Sequence, residues 1–317
     1  MKKRTRQYIG TSVAIAVVGF TTFPVWAQAP IGEHVRAVAD AVFEQEVQIL
    51  FGGDVMLDRT IRSAIQRYGE NFVFSCVNDL LHEADFAVVN LEGPITGNPS
   101  MSLGSVIGSP ENFTFTFPLE TPNILKQANI WMVNLGNNHI LNFGWDGVRE
   151  TTQYLKNADV HYFGDPTDQN VAHERVRGVP IAFISYNEFA PYGWRESISK
   201  TVEQITTARR DQYVPVVYAH WGDEYEPAPE RVKELARSFV DAGAEIVIGA
   251  HPHVVQEHEV YKDKYIYYSL GNFVFDQYWN EHVRRGLLLR VTFTQAGVTH
   301  LEEIPIDNQS GPRPCAV

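Results

Sequence analysis

Cysteine is scarce. Two in 317 residues exclude a small scaffold held by a disulfide framework, and neither sits in the paired spacing of a zinc-binding motif. Positive charge is short as well. With 26 Lys+Arg against 38 Asp+Glu the formal net charge is −12. Such a chain lacks the basic face that nucleic acids and anionic membranes demand, so no nucleic-acid partner is expected. Internal repeats, low-complexity tracts and a clear inter-domain linker are also missing. What is there, 44% hydrophobic and 12% aromatic residues, is a globular composition with chain enough for a sizeable core.

The opening of the chain stands apart. An apolar run at residues 9–23 follows Lys2, Lys3, Arg4 and Arg6 and ends in Val25-Trp26-Ala27-Gln28-Ala29. Basic, then apolar, then small is the order of a secretory signal, and Val25-x-Ala27 fits a cut after Ala27. The run falls short of the about 20 residues a membrane span needs. The expectation is therefore a signal at 1–27, a linker at 28–45, one domain at 46–308 and a tail at 309–317. The product would be exported, periplasmic or extracellular; left uncut, the segment would be an anchor. Cleavage removes four basic residues and no acid, which leaves 22 against 38 and a net charge of −16. Cys76 and Cys315 would then lie where disulfides are permitted. A bridge holding the C-terminus is open; two unrelated cysteines are the expectation.

Along the domain, short apolar runs at 47–51, 86–90, 130–133, 179–185, 214–218 and 245–248 read as strands. Helical spacing separates them at 59–68, 74–83, from 120, 146–157 and 229–242. Continuous apolar strands alternating with helices predict an α/β fold whose sheet is covered on its faces. From residue 257 the pattern turns β-rich, which predicts a second sheet built from hairpins.

Five of these runs end in polar residues of metal-ligating type: Asp54, Glu92, Asn138-His139, His220, and His251-x-His253. In α/β sheets the carboxyl ends of the strands face one crevice, so residues distant in sequence converge there. Taken singly each has a duller role. Asp54 after Gly-Gly suits a turn or cap, Glu92 before Gly-Pro a solvated turn, Asn138-His139 a polar loop, and His220 a core histidine. Gly-x-His-x-His is stronger on its own, and the conjunction is stronger than any member. Carboxylates, an amide and imidazoles together suit Zn²⁺, Mn²⁺ or Fe²⁺ better than calcium, which prefers oxygen alone.

Six blocks stand in order: Gly-Gly-Asp54, Asn90-Leu91-Glu92-Gly93-Pro94, Gly136-Asn137-Asn138-His139, His220-Trp221-Gly222-Asp223-Glu224-Tyr225, Gly249-Ala250-His251-Pro252-His253 and Tyr268-Ser269-Leu270-Gly271-Asn272-Phe273. Across residues 47–295 they closely resemble the CapA (poly-γ-glutamate capsule synthesis) family, itself similar to the calcineurin-like metallophosphoesterases. The resemblance implies a four-layer α/β/β/α sandwich with a two-metal site between strand ends. It implies that Asp54 is an aspartate ligand, that Glu92 stands where a bridging aspartate is usual, and that Asn138 is the amide ligand. His139 would protonate a leaving group, His220 and His251 would hold the second metal, and His253 the first. The related motif Asp-x-His is here Asp54-Val55-Met56, and a thioether is a poor ligand for a borderline ion. One metal firmly held, with a second weak or lacking, is the expectation.

Glu224, close after His220, would orient an imidazole or a substrate amine if it is not simply a solvated loop residue. Arg59 and Arg62 share a helix face at i, i+3 and would bind substrate carboxylates or phosphates if that face is not merely solvated. Tyr192, Trp194, Trp221, Tyr225, Tyr278 and Trp279 lie near the motif loops, as packing residues or as a rim that touches polymer. The resemblance and the residues together imply an exported metal-dependent hydrolase of a phosphoester or a γ-glutamyl amide. Its partners would be an anionic envelope polymer such as poly-γ-glutamate and membrane synthase subunits. The alternatives are a non-catalytic polymer-binding or synthase-associated component of capsule assembly, or a peptidoglycan or peptide amidase.

Overall fold

A computed structural model describes residues 45–167, 170–308 and 311–317. The expected signal at 1–27 and all but Gln45 of the expected linker lie outside the described residues. The first half of the chain lays down four strands side by side: β1 (Val47–Val55), β2 (Phe86–Leu91), β3 (Ile130–Asn134) and β4 (His161–Phe163). All three pairings among them are parallel. Parallel neighbours need a crossover, and α1 (Arg59–Tyr68), α2 (Asn78–Glu83), α3 (Thr121–Gln127) and α4 (Gly144–Asn157) supply it. A second sheet comes from β5 (Val171–Val176), β6 (Val179–Asn187), β7 (Val214–His220) and β8 (Ile246–Ala250), with α5 (Trp194–Arg210) and α6 (Glu230–Ala242) in its crossovers.

The remaining strands are β9 (His258–Tyr261), β10 (Lys264–Tyr267), β11 (Asn272–Val274), β12 (Arg285–Thr294), β13 (Gly297–Asp307) and β14 (Cys315–Ala316), with the short α7 (Glu281–Arg284) before β12. They do not make the separate hairpin sheet expected from sequence. The β9–β10 hairpin extends the second sheet to β5-β6-β7-β8-β10-β9. The others complete the first as β14-β13-β12-β1-β2-β3-β4, with β11 also pairing with β1. Alternation along a strand shows that it is a strand, but not which edge it joins.

Three apolar cores separate four layers. Val47, Ile49 and Phe51 of β1 meet Phe183, Val216 and Ile248 of the other sheet in the central core. Leu50, Ala87 and Val133, on the opposite face of the first sheet, pack with Ile61, Leu81, Ile124 and Val148 from its helices. Ile184, Val217 and Val247 pack with Ile205 and Phe239 from α5 and α6. Such continuous apolar strands are required when both faces of a sheet are covered. The architecture is the expected α/β/β/α sandwich.

Cys315 on β14 is bonded to Cys76, with Cα atoms 5.1 Å apart and a sequence separation of 239. This overturns the expectation of two unrelated cysteines. The chain returns along β13, where Asp307 faces Cys315, and Arg313 stacks over Phe72, so the tail lies against the turn that carries Cys76. That turn is not helical: α2 starts at Asn78, four residues later than the spacing suggested.

Candidate metal centre

Side chains in β1 alternate up to Phe51, and strict alternation would send Asp54 towards the helices. The β1–β2 register instead shifts between Phe51 and Asp54, an irregularity of the bulge kind that reverses the facing of the residues beyond it. Val55 then joins the outer core, and Asp54 turns into the crevice. Gly53 permits this because a Cβ there would stand 1.9 Å from the Gly271 carbonyl oxygen. The Asp54 N–H donates to that same oxygen at 3.1 Å, and Leu270 N–H donates to Gly249 O at 3.0 Å. One short segment thus ties both sheets together at the carboxyl ends of their strands.

Asp54, Glu92, His220, His251 and His253 meet there, all buried. Among the described residues three groups have donor atoms within 4.8 Å of one another: Glu92–His220–His251, Asp54–Glu92–His253 and Glu224–His251–His253. Glu92 links the first two. Its Oε1 is 3.9 Å from His139 Nε2, 3.9 Å from His220 Nε2 and 3.7 Å from His253 Nε2. Asn138 Oδ1 lies 2.9 Å from His220 Nε2. Two donors at about 2.1 Å from one ion can be no more than about 4.2 Å apart, so each of these separations is compatible with a shared cation.

The polar atoms themselves speak for one. Among the described residues no hydrogen-bond donor reaches either carboxylate oxygen of Glu92, and His251 Nδ1 has no partner either. A buried carboxylate in that condition costs several kcal/mol unless it is protonated or paired. Burial pushes the Glu92 carboxyl well above the usual range, and the Asp54 carboxylate pushes it further. For Asp54 burial acts upward too, but the hydrogen bond and charge of His253, the charge of His220 and the Asn90 amide outweigh it and hold the group well below its usual range. Burial holds His220 well below the usual imidazole value, helped by the charge of His251. It lowers His251 to about 3, together with the charge of His253. These two imidazoles are neutral at neutral pH, which is the ligating form.

Neighbours fix which nitrogen faces the centre. Asn272 donates through Nδ2 to Gln277 Oε1 and Val283 O, so its Oδ1 accepts from His253 Nδ1 at 2.9 Å and the lone pair of Nε2 points at Glu92. Backing an imidazole with a carbonyl oxygen in this way is common in metal sites. Asn142 Oδ1 accepts from Phe115 N–H, so His139 Nδ1, 3.1 Å away, is its second donor. The lone pair of His139 Nε2 then faces Glu92, and burial lowers this imidazole to about 4. Asn90 donates to Asp54 Oδ1 at 2.8 Å and accepts at its own Oδ1 from Asn134 and Asn137. Asn134 is a buried strand-end residue that sequence reading passed over, while Asn90 and Asn137 stand inside two of the six blocks without a role assigned to them. Phe189 covers His251, with ring centroids 4.5 Å apart, and was missed as well. Backbone strain marks the same place: His251 and His253 have φ of 97° and 58°, a conformation that costs a non-glycine residue about 1–3 kcal/mol.

The other expected residues lie around this floor. Met56 is not at the centre. Its side chain belongs to the outer core and its sulfur accepts from Asp58 N–H at 3.0 Å. Arg59 pairs with Asp276 and lies over the rings of Phe115 and Phe275. It lines a groove of about 800 Å³ together with Ser102, Asn112, Glu224, Tyr225 and Trp279. Arg62 is tied to Asp58 and to the Thr116 carbonyl, on the side of α1 away from that groove. Asp58, fully buried, also accepts from Ser100 Oγ, Ser102 Oγ and Thr116 N–H at 2.7–3.0 Å. It anchors both ends of the loop that forms one groove wall. Tyr225 and Trp279 meet at the groove's edge, 5.4 Å apart. Trp221 is a packing residue, buried against Tyr186 and Phe239.

Known proteins resemble this chain. The family model described as bacterial capsule synthesis protein PGA_cap matches residues 48–277. The chain is 30% identical to the capsule biosynthesis protein CapA of Bacillus anthracis, over 99% of this chain and 79% of that protein. It is 28% identical to the PGA biosynthesis protein CapA of Bacillus subtilis, over 99% and 84%. Every strand-end residue of the cluster falls inside the matched span, and the chain belongs to the PGA_cap family of bacterial capsule synthesis proteins.

Proposed function

We propose that the chain is an exported, metal-dependent hydrolase acting on an anionic envelope polymer, in the capsule or poly-γ-glutamate metabolism that the relatives' names describe. The observation that carries the proposal is Glu92: a buried carboxylate with no donor on either oxygen, ringed by three imidazole nitrogens. The donor set fits Mn²⁺, Zn²⁺ or Fe²⁺. Glu92, His220, His251 and Asn138 would hold one cation firmly, and Asp54, Glu92 and His253 a second more weakly, since β1 supplies no imidazole at Met56. Such an ion supplies positive charge that polarises a phosphoryl or carbonyl oxygen and acidifies water.

The chain's own residues do the rest. His139 is neutral with its Nε2 lone pair facing the centre, so it first accepts the proton of the attacking water and then returns it to the leaving group. Stacking on Phe115, at 4.4 Å between centroids, and the Asn142 bond fix the plane of its ring. Phe189 screens His251 from solvent. Arg59, at the groove, would meet a phosphate or carboxylate of the substrate. The groove otherwise brings two acids, Glu224 and Asp276, so a polyanion needs the bound cations to approach.

The test is turnover. The chain loaded with Mn²⁺ or Zn²⁺ is offered a phosphodiester, a phosphomonoester and γ-glutamyl oligomers, with His220→Ala beside it. Hydrolysis of one of them that is lost in the variant is the expected result. Silence on all three, with polymer still retained, would replace the hydrolase with the second reading, a polymer-binding assembly component. The word biosynthesis in both relatives' names favours that reading.

A further inference from the structure

We infer that Glu224 is a cation ligand, adding a carboxylate donor on the His251–His253 side of the centre. The inference rests on the metal centre proposed above. A carboxylate oxygen of Glu224 and nitrogens of His251 and His253 lie within 4.8 Å of one another. His251 Nδ1 is buried without a hydrogen-bond partner among the described residues. Glu224 itself is exposed at the groove.

The turn that carries Glu224 is built rather than loose. Tyr225 N–H donates to Pro252 O at 2.8 Å, which ties the turn to the peptide between the two histidines. Gln277 Nε2 donates to Tyr225 Oη at 2.9 Å. Gly222 and Tyr225 adopt φ of 87° and 64°, and a tyrosine is held there only when its surroundings over-determine it. Charge points the same way. Three carboxylates (Asp54, Glu92 and Glu224) gather around this centre, and divalent cations are what would offset them. Oxygen donors joined to imidazole also suit Mn²⁺, Fe²⁺ and Zn²⁺. A solvated loop glutamate would need neither the tether nor the strained tyrosine.

The experiment is titration of metal-free chain with Mn²⁺ alone, by calorimetry and by counting bound ions, for the native sequence and for Glu224→Gln. The expected result is a tenfold or greater weakening of one binding step in Glu224→Gln, with the thermal melt of the metal-free protein unchanged. The loss should persist in 1 M salt, where the screening length falls to about 3 Å and a merely neighbouring charge would stop contributing. Equal affinities in the two proteins, or a difference that salt abolishes, would overturn Glu224 as a ligand and leave the centre standing. A native chain that binds no Mn²⁺ would overturn the centre, and this inference with it.

Discussion

Glu92 and Glu245 are both glutamates buried at the end of a strand, and the protein treats them in opposite ways. Glu245, just before β8, pairs with Arg209 and Lys264 and accepts from Val298 N–H at 3.1 Å. Burial alone would raise its carboxyl, but these bonds outweigh that and hold it below the usual range. Glu92, just past β2, has no donor on either oxygen and is held well above that range. At the amino end of a strand the acid is satisfied and locks α5 to the sheet. At the carboxyl end the acid is left open, where ligands of α/β sheets bind. Burial is therefore not what separates these two carboxylates; partnership is.

The strongest way to break this contrast is Glu92→Gln. It should weaken Mn²⁺ binding by more than about 100-fold, beyond the cost of losing an outer hydrogen-bond partner of a ligand. The melting temperature of the metal-free chain should not fall, because no bond to Glu92 is lost. Calorimetry and a thermal melt read both halves. Next in size is the disulfide. Cys76→Ser with Cys315→Ser should cost about 3 kcal/mol in denaturant unfolding and leave cation affinity unchanged, since the bridge anchors the tail and not the crevice.

Glu245→Gln should do the reverse of Glu92→Gln. Stripping a buried pair of its acid costs about 3–5 kcal/mol. Arg209 and Lys264 are 34% and 32% exposed, so solvent screening brings the expectation to about 2 kcal/mol in urea unfolding, with Mn²⁺ binding untouched. The smallest effect is its pH dependence. Glu245 has a depressed folded pKa, so its contribution is complete above the unfolded value of about 4.3 and is lost as pH falls through the folded one. The stability difference between native chain and Glu245→Gln should therefore shrink below about pH 4.3, as measured by urea unfolding at stepped pH. A difference that grew in acid would mean the acid is not paired as described.

The crevice was legible because the central strands announce themselves as apolar runs and five of those runs stop at a ligand-type residue. Asp54, Glu92, His220, His251 and His253 needed only the rule that parallel strands end together. What was illegible depends on contacts between segments. Arg62 looked like Arg59 at i, i+3, but Asp58 one turn earlier claims it, and an aspartate ahead of a helix reads as a cap. Asp58 gathers donors from Ser100, Ser102 and Thr116, some 40 to 60 residues downstream, which no local pattern signals. Met56 read as a lost ligand, and just past the end of β1 its side chain lies in the outer core. Cys76 and Cys315 pair because β14 returns to the sheet edge. The C-terminal strands were recognised as strands while their division between two sheets was not, since alternation carries no information about partners.

The central claim is that Glu92 is open because a cation belongs beside it. Crystals of the chain grown with Mn²⁺ and measured at the manganese absorption edge test this directly. The account predicts an anomalous peak within coordinating distance of Glu92, His220 and His251, absent from crystals of Glu92→Gln. A peak confined to surface carboxylates, or none while Glu92 keeps its unpartnered oxygens, would contradict it.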